Sequence, residues 1–296
     1  MERSMIGRVG VFSFAFEQHP TGQARDEVAR IEELGYGAIW FPEARGKEAF
    51  THATLLLSGG SRVAVATGIA TIWGRDPMTA AAAAATVAEA FPGRLIVGLG
   101  VSHRPAVEEL RGQPYGSPLA KMGAYLDGMA TATYQAAEPP ERPPVVLGAL
   151  GPRMLALAAE RTAGAHTYFV PVEHTERARD MLGPDRVLAV EQAVVLEPDA
   201  TRAREIARTH TGRYLRLDNY RNNLARLGWS DVDLAGAGSD RLVDAVVAWG
   251  AEPAIAARVQ DHLAAGATHV CIQVVDEDRS QLRLDQLEAL APALVS

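Results

Sequence analysis

The chain has 296 residues, 48% of them hydrophobic, and a formal net charge of -7, so it can bury a large core and is a poor match for nucleic acid or an anionic membrane. Its one cysteine, Cys271, excludes an intrachain disulfide, fits a reducing compartment and reads as a core residue. The opening segment MERSMIGRVGVF lacks the apolar stretch of a signal peptide, and no run is long enough to span a bilayer; a cytoplasmic protein with a small-molecule partner is expected. Along the chain, eight apolar runs read as strands: RVGVFSF, GAIWFPE, RVAVATGI, GRLIVGLG, PPVVLGA, GAHTYFV, RVLAVEQAVVL and THVCIQVV. They are continuous rather than alternating, as strands covered on both faces should be. Helical patterns lie between them. QARDEVARIEELG puts Ala24, Val28, Ile31 and Leu34 on one stripe, PMTAAAAAATVAEAF opens on Pro77, and GPRMLALAAERTAG reads as a helix ending at Gly164.

Strand and helix in eightfold alternation predict an α/β protein of the (β/α)8 TIM-barrel type, one domain over residues 1–296. The span of about 199–249 breaks the rhythm and reads as a helical insertion late in the barrel. Barrel enzymes build their sites at the C-terminal ends of the strands. The candidate segments are therefore PEARGKEAF, ATIWGRDP, GVSHRP, GALGPRM and YFVP. Their glycines, small polar residues and few carboxylates suit a flat ring and a phosphate. Gly68 interrupts an apolar run, which marks a bulge or a close approach of backbone to something else. GLGVSH lacks the third glycine of a dinucleotide fingerprint, which excludes a Rossmann reading. The eight histidines show no metal-ligand spacing, so no metal site is expected.

Taken together, YGAIWFPE, VATGIATIWGRDPMTAA, GRLIVGLGVSHRP and VVLGALGPRMLALAAERTAGAHTYFV resemble the bacterial luciferase-like flavin and deazaflavin oxidoreductases, in particular the branch using coenzyme F420. The resemblance implies a non-prolyl cis peptide at Gly68-Ile69 behind the cofactor ring, with Thr71 at the ring edge. It places Val101 and Ser102 along the ring or its chain, and Gly148, Ala149, Gly151, Arg153 and Met154 around the phosphate. It also implies a homodimer. Glu43 and His103 are the candidate catalytic residues, Glu43 also as a cofactor contact and His103 against the alternative of an idle loop histidine. Arg213, Arg216, Tyr220 and Arg221 form either an anion-binding lid or an exposed helix face. Sugar-phosphate dehydrogenases of this branch carry a carboxylate and then a histidine after the second strand, whereas this chain has Glu43-Ala44. Alanine supplies no base, so oxidation of sugar phosphates is not expected. The expected activity is F420-dependent hydride transfer to or from a small organic substrate. The alternatives are an FMN-dependent monooxygenase and a non-catalytic ligand-binding barrel. Only Lys47 and Lys121 among 29 basic residues are lysines, which suggests an actinobacterial type of genome, where the deazaflavin is common.

Overall fold

The computed structural model describes residues 6–295, so the first five residues of the opening segment lie outside the description. Ten strands are present: β1 (Val9–Phe12), β2 (Ala38–Phe41), β3 (Ala64–Thr67), β4 (Ala70–Thr71), β5 (Leu95–Gly100), β6 (Val145–Gly148), β7 (Gly164–Thr167), β8 (Val187–Val195), β9 (Val247–Trp249) and β10 (His269–Val274). Parallel pairing runs β1-β2-β3-β5-β6-β7-β8-β10 and returns to β1, closing an eight-membered TIM barrel. Each predicted apolar run supplies one member. Every residue of β1, β2, β3, β5, β7 and β8 is buried, which is why these runs lack a polar alternation.

The third run differs in one respect from a plain strand. It breaks after Thr67 at a cis peptide between Gly68 and Ile69, then continues as β4 against Leu99 and Gly100 of β5. The predicted insertion contains three helices, Ala200–Tyr214, Asp218–Arg226 and Asp240–Val246, followed by β9. β9 pairs with Ala193–Val195 at the upper end of β8, beyond the Val187–Val190 stretch that holds β7. The helix predicted to end at Gly164 ends at Arg161; Gly164 instead opens β7, where a Cβ would lie 1.9 Å from the Val187 carbonyl oxygen.

The barrel interior is filled by Phe12, Trp40, Ala66, Ile96, Val146, Ala189 and Cys271. Burial pushes the Cys271 thiol well up, as a core role requires. A larger apolar layer lies between the barrel and its helices. Local chemistry fixes the elements that flank the site. Glu48 caps the helix Ala49–Leu57 by accepting from the Phe50 and Thr51 amides, and Asp76 caps Pro77–Ala90 through the Thr79 amide.

Candidate active site

A cavity of about 750 Å³ opens at the C-terminal ends of the strands. Of the residues singled out in the sequence, Glu43, Gly68, Ile69, Thr71, Val101, Ser102, His103, Gly148 and Ala149 line it. Gly151, Arg153 and Met154 do not; they begin the helix Pro152–Arg161 just beyond the lining residue Leu150.

Ile69 is the centre of the construction. A Cβ at Gly100 would fall 2.4 Å from Ile69 Cγ1, and one at Gly148 would fall 3.1 Å from Ile69 Cγ2. These two glycines leave room for the Ile69 side chain. At Gly68 a Cβ would meet Phe12 Cε2 at 2.8 Å, so packing within the protein already requires glycine there.

Glu43 is fully engaged. Its side chain is 8% exposed and its two oxygens accept from the Arg75 guanidinium, from the Thr71 amide at 2.8 Å and from the Ala49 amide at 3.3 Å. Its own amide donates to the Ile69 carbonyl at 3.1 Å. The carboxylate thus ties the β2 tip to the segment around Ile69 and has its acceptor sites taken by fixed donors. Thr71 is buried, and its Oγ1 accepts from the Trp73 amide at 3.4 Å.

On the β5 tip, Ser102 takes a left-handed φ of 55°, uncommon for a residue with a side chain, and its carbonyl accepts from the Tyr115 hydroxyl at 2.9 Å. His103 follows as the first flank of the helix Arg104–Arg111. Its Nδ1 lies 3.1 Å from Asn219 Oδ1 and therefore carries the proton, and its ring is 5.6 Å from that of Tyr220. Burial pulls its pKa below the usual histidine value, against the raising effect of the Asn219 bond. The contact joins the β5 tip to the insertion.

The insertion covers the cavity with Tyr214, Leu217, Asn219 and Tyr220 rather than with arginines. Arg213 and Arg216 are exposed and absent from the lining, and Arg221 donates to the Leu234 carbonyl at 2.8 Å. Of the four residues considered as a lid, Tyr220 alone lines the cavity. The exposed-face reading holds for Arg213 and Arg216.

Several lining residues were not anticipated. His166 sits on β7 beneath Gly68, stacked on Trp40 at 4.6 Å between ring centroids. Its Nδ1 is 3.3 Å from the Ala189 carbonyl and donates to it, which leaves Nε2 as a buried acceptor with no partner. Burial brings its pKa down to about 3, so it remains neutral. Tyr168 and Tyr214 hold their hydroxyls 2.7 Å apart; Tyr168 donates to Gln273 Oε1, and Arg279 Nη2 donates to Tyr214 Oη at 3.3 Å. Tyr168 lay within the strand-tip segment YFVP, whereas Arg279 carried no local signal. Among the described residues no group of three or more His, Cys, Asp or Glu side chains could hold a metal, and no helix is long and apolar enough to cross a membrane.

A closed parallel barrel with a broken third strand and a cavity at its strand tips defines the luciferase-like class. The model of the luciferase-like monooxygenase family matches residues 7–269, and the chain belongs to this family. A Mycobacterium tuberculosis protein whose name proposes a coenzyme F420-dependent oxidoreductase is 30% identical over 184 residues, 52% of each chain. A Mycobacterium bovis protein is 31% identical over 104 residues, 35% of this chain and 30% of that protein. The chain spans about half or less of the curated relatives it matches. Among solved structures, an F420-dependent secondary alcohol dehydrogenase holding an F420-acetone adduct superimposes with a TM-score of 0.76 at 16% identity, over 98% of this chain and 99% of that one. The F420-dependent tetrahydromethanopterin reductase of Methanopyrus kandleri gives 0.74 at 15% identity over 98% and 99%. The FMN-bound oxygenating component of 3,6-diketocamphane monooxygenase from Pseudomonas putida gives 0.71 at 14% identity over 97% and 98%. At these identities the superpositions establish the fold.

Proposed function

We propose that this protein is a coenzyme F420-dependent oxidoreductase that transfers hydride between the deazaflavin and a small, partly apolar organic substrate. The observation that carries the reading is the slot around Ile69: a side chain accommodated by Gly100 and Gly148, flanked by Thr71, Val101 and Ser102, in a cavity of about 750 Å³. Such a space suits a planar ring with a polar chain. His166 closes the same wall beneath Gly68, with its Nε2 buried and without a partner.

When bound, a deazaflavin supplies a ring carbon that donates or accepts hydride. Ile69 would back the ring, and the neighbouring Glu43-Arg75 pair fixes the backbone that presents Ile69 and Thr71. In this reading the amide end of the helix Pro152–Arg161, beginning after Gly151, would take the phosphate of the tail. Arg226 adds a cation there, its Nη2 3.5 Å from where a Gly151 Cβ would stand, and Arg153 is exposed on the first helical turn. Tyr214, Leu217 and Tyr220 of the insertion shield the reacting centre from water. Ala44 lines the cavity where related sugar-phosphate dehydrogenases place a histidine base. Glu43 is occupied by its anchoring bonds, so the proton that accompanies hydride would be exchanged with water or with His103.

A side-by-side binding titration with purified deazaflavin and FMN tests the reading. Tighter binding of the deazaflavin is expected. Preference for FMN would favour a monooxygenase on the same fold, and binding of neither would favour a non-catalytic barrel. Turnover of glucose 6-phosphate would overturn the substrate class.

A further inference from the structure

Arg279 is the feature that the proposed chemistry leaves unused. It follows β10 at the cavity mouth, half-buried, with its guanidinium 4.0 Å from the centroid of the Phe14 ring. Its hydrogen bond is to the Tyr214 hydroxyl, and it has no ion pair among the described residues. A guanidinium offers five N–H donors, and most of these are left without a protein acceptor. The three carboxylates just before it in the chain are engaged elsewhere, Asp276 with Arg283, Glu277 with Arg202 and Asp278 with Ser280. Arg213 is a like charge, and the Glu191 carboxyl, inside the barrel, is pushed up to about 8 by burial, against the Phe169 amide and Arg279 that lower it. Glu43 is the one carboxylate lining the cavity among the described residues, and it is taken by Arg75.

An unpaired, partly desolvated cation beside an apolar chamber is an arrangement completed by an anion. The chamber walls here are rings: Phe14, Tyr168, Tyr214 and Tyr220. Phe14 packs on Phe12 at 5.5 Å between centroids, and Phe12 flanks Gly68, so two rings separate the guanidinium from the segment holding Ile69. In the reading proposed above, the phosphate of a cofactor tail would go to a different strand tip, at the helix after Gly151 and Arg226.

We propose that Arg279, beside the ring of Tyr214, binds the carboxylate of an aromatic or alicyclic acid, and that the substrate of this enzyme is of that class. The inference rests on the oxidoreductase reading for the word substrate, while the subsite itself stands on geometry.

Calorimetric titrations with 2-naphthoate and its neutral isostere 2-naphthamide test it, alongside coenzyme F420, on the wild type and on Arg279→Gln. The wild type is expected to bind the acid at least tenfold more tightly than the amide. In Arg279→Gln that preference is expected to vanish, with F420 affinity changed less than twofold. Equal binding of acid and amide by the wild type, or binding of neither, would overturn the proposal without any variant. A loss of F420 affinity with naphthoate binding intact would assign Arg279 to the cofactor tail and also overturn it. Arginine-dependent naphthoate binding without F420 binding would uphold the subsite and remove the deazaflavin reading.

Discussion

Glu43 changes role between sequence and structure. As a residue after an apolar run it looks like a candidate acid; in the fold its oxygens are held by Arg75 and two amides. Glu43→Gln should therefore act on stability as well as on any activity, because it leaves the Arg75 guanidinium, 8% exposed, with Glu48 at 2.8 Å as its remaining carboxylate and the Thr71 carbonyl at 3.3 Å. Removing one member of a buried pair typically destabilises by several kcal/mol, and with Glu48 still present a loss of about 2 kcal/mol is expected. Urea denaturation would measure it, and a second change, Arg75→Met, should recover part of the loss. An unchanged midpoint would show that the pair anchors nothing. Glu191 sets a pH dependence. Its Oε2 accepts from the Phe169 amide at 3.1 Å while Oε1 has no partner, and burial raises its pKa from 4.5 to about 8. The folded state thus holds a proton that the unfolded chain releases above pH 4.5, so this group's contribution to stability is full below pH 4.5 and declines as pH rises to about 8. Melting curves of Glu191→Gln should converge on, or overtake, the wild type across that window. A pH-independent difference between them would contradict the assignment.

The break in the third strand is held by an exchange of volume among neighbouring strands. Gly98 and Gly100 of β5 both lack room for a Cβ, for different reasons. At Gly98 the obstacle is the Thr67 carbonyl oxygen at 1.9 Å, which is backbone; at Gly100 it is the Ile69 side chain. Gly98→Ala should cost about 3 kcal/mol with no single compensating change, since overpacking against backbone cannot be relieved by a rotamer. Gly100→Ala should cost about 1 to 2 kcal/mol and be largely rescued by Ile69→Ala, a coupling that a double-mutant cycle would read directly. Additive effects of the two substitutions would mean that Gly100 is glycine for another reason. The sequence showed glycines at strand tips and suggested close approach of a phosphate. The structure gives Gly100 and Gly148 a nearer neighbour in Ile69. The insertion was legible as helical, but not the side it would turn to the cavity, because Arg213, Arg216, Tyr220 and Arg221 read as one mixed aromatic and basic stripe until packing separates them.

For the molecule as a whole, a ligand that binds only the folded chain stabilises it by mass action, by about 2.7 kcal/mol at one hundred times its Kd. In a chain of this length that should raise the melting temperature by about 4 °C for coenzyme F420, and by less for FMN at the same concentration. An equal shift for both would contradict the deazaflavin preference. The resemblance to luciferase-like enzymes also carries the expectation of a homodimer. Sedimentation velocity at working concentration checks it, and a monomer would refute it.

The barrel was fixed by local pattern. Strands covered on both faces must be continuously apolar, and eight such runs separated by helical periodicities leave a closed parallel sheet as the natural way to bury them. Cavity-lining residues next to the runs, such as Ile69, Val101 and Gly148, were legible for the same reason: a strand's C-terminal end is a position along the chain. Closure of the ring decided the rest. Arg75 and Glu43 lie 32 residues apart, Tyr168 and Gln273 105, and Arg279 and Tyr214 65. In sequence, an arginine paired with a buried carboxylate, one left facing a cavity and one in water are the same letter. What tells them apart is the neighbouring charge and the water that packing removes, and only the closed barrel with its insertion sets these for Arg75, Arg279 and Arg213.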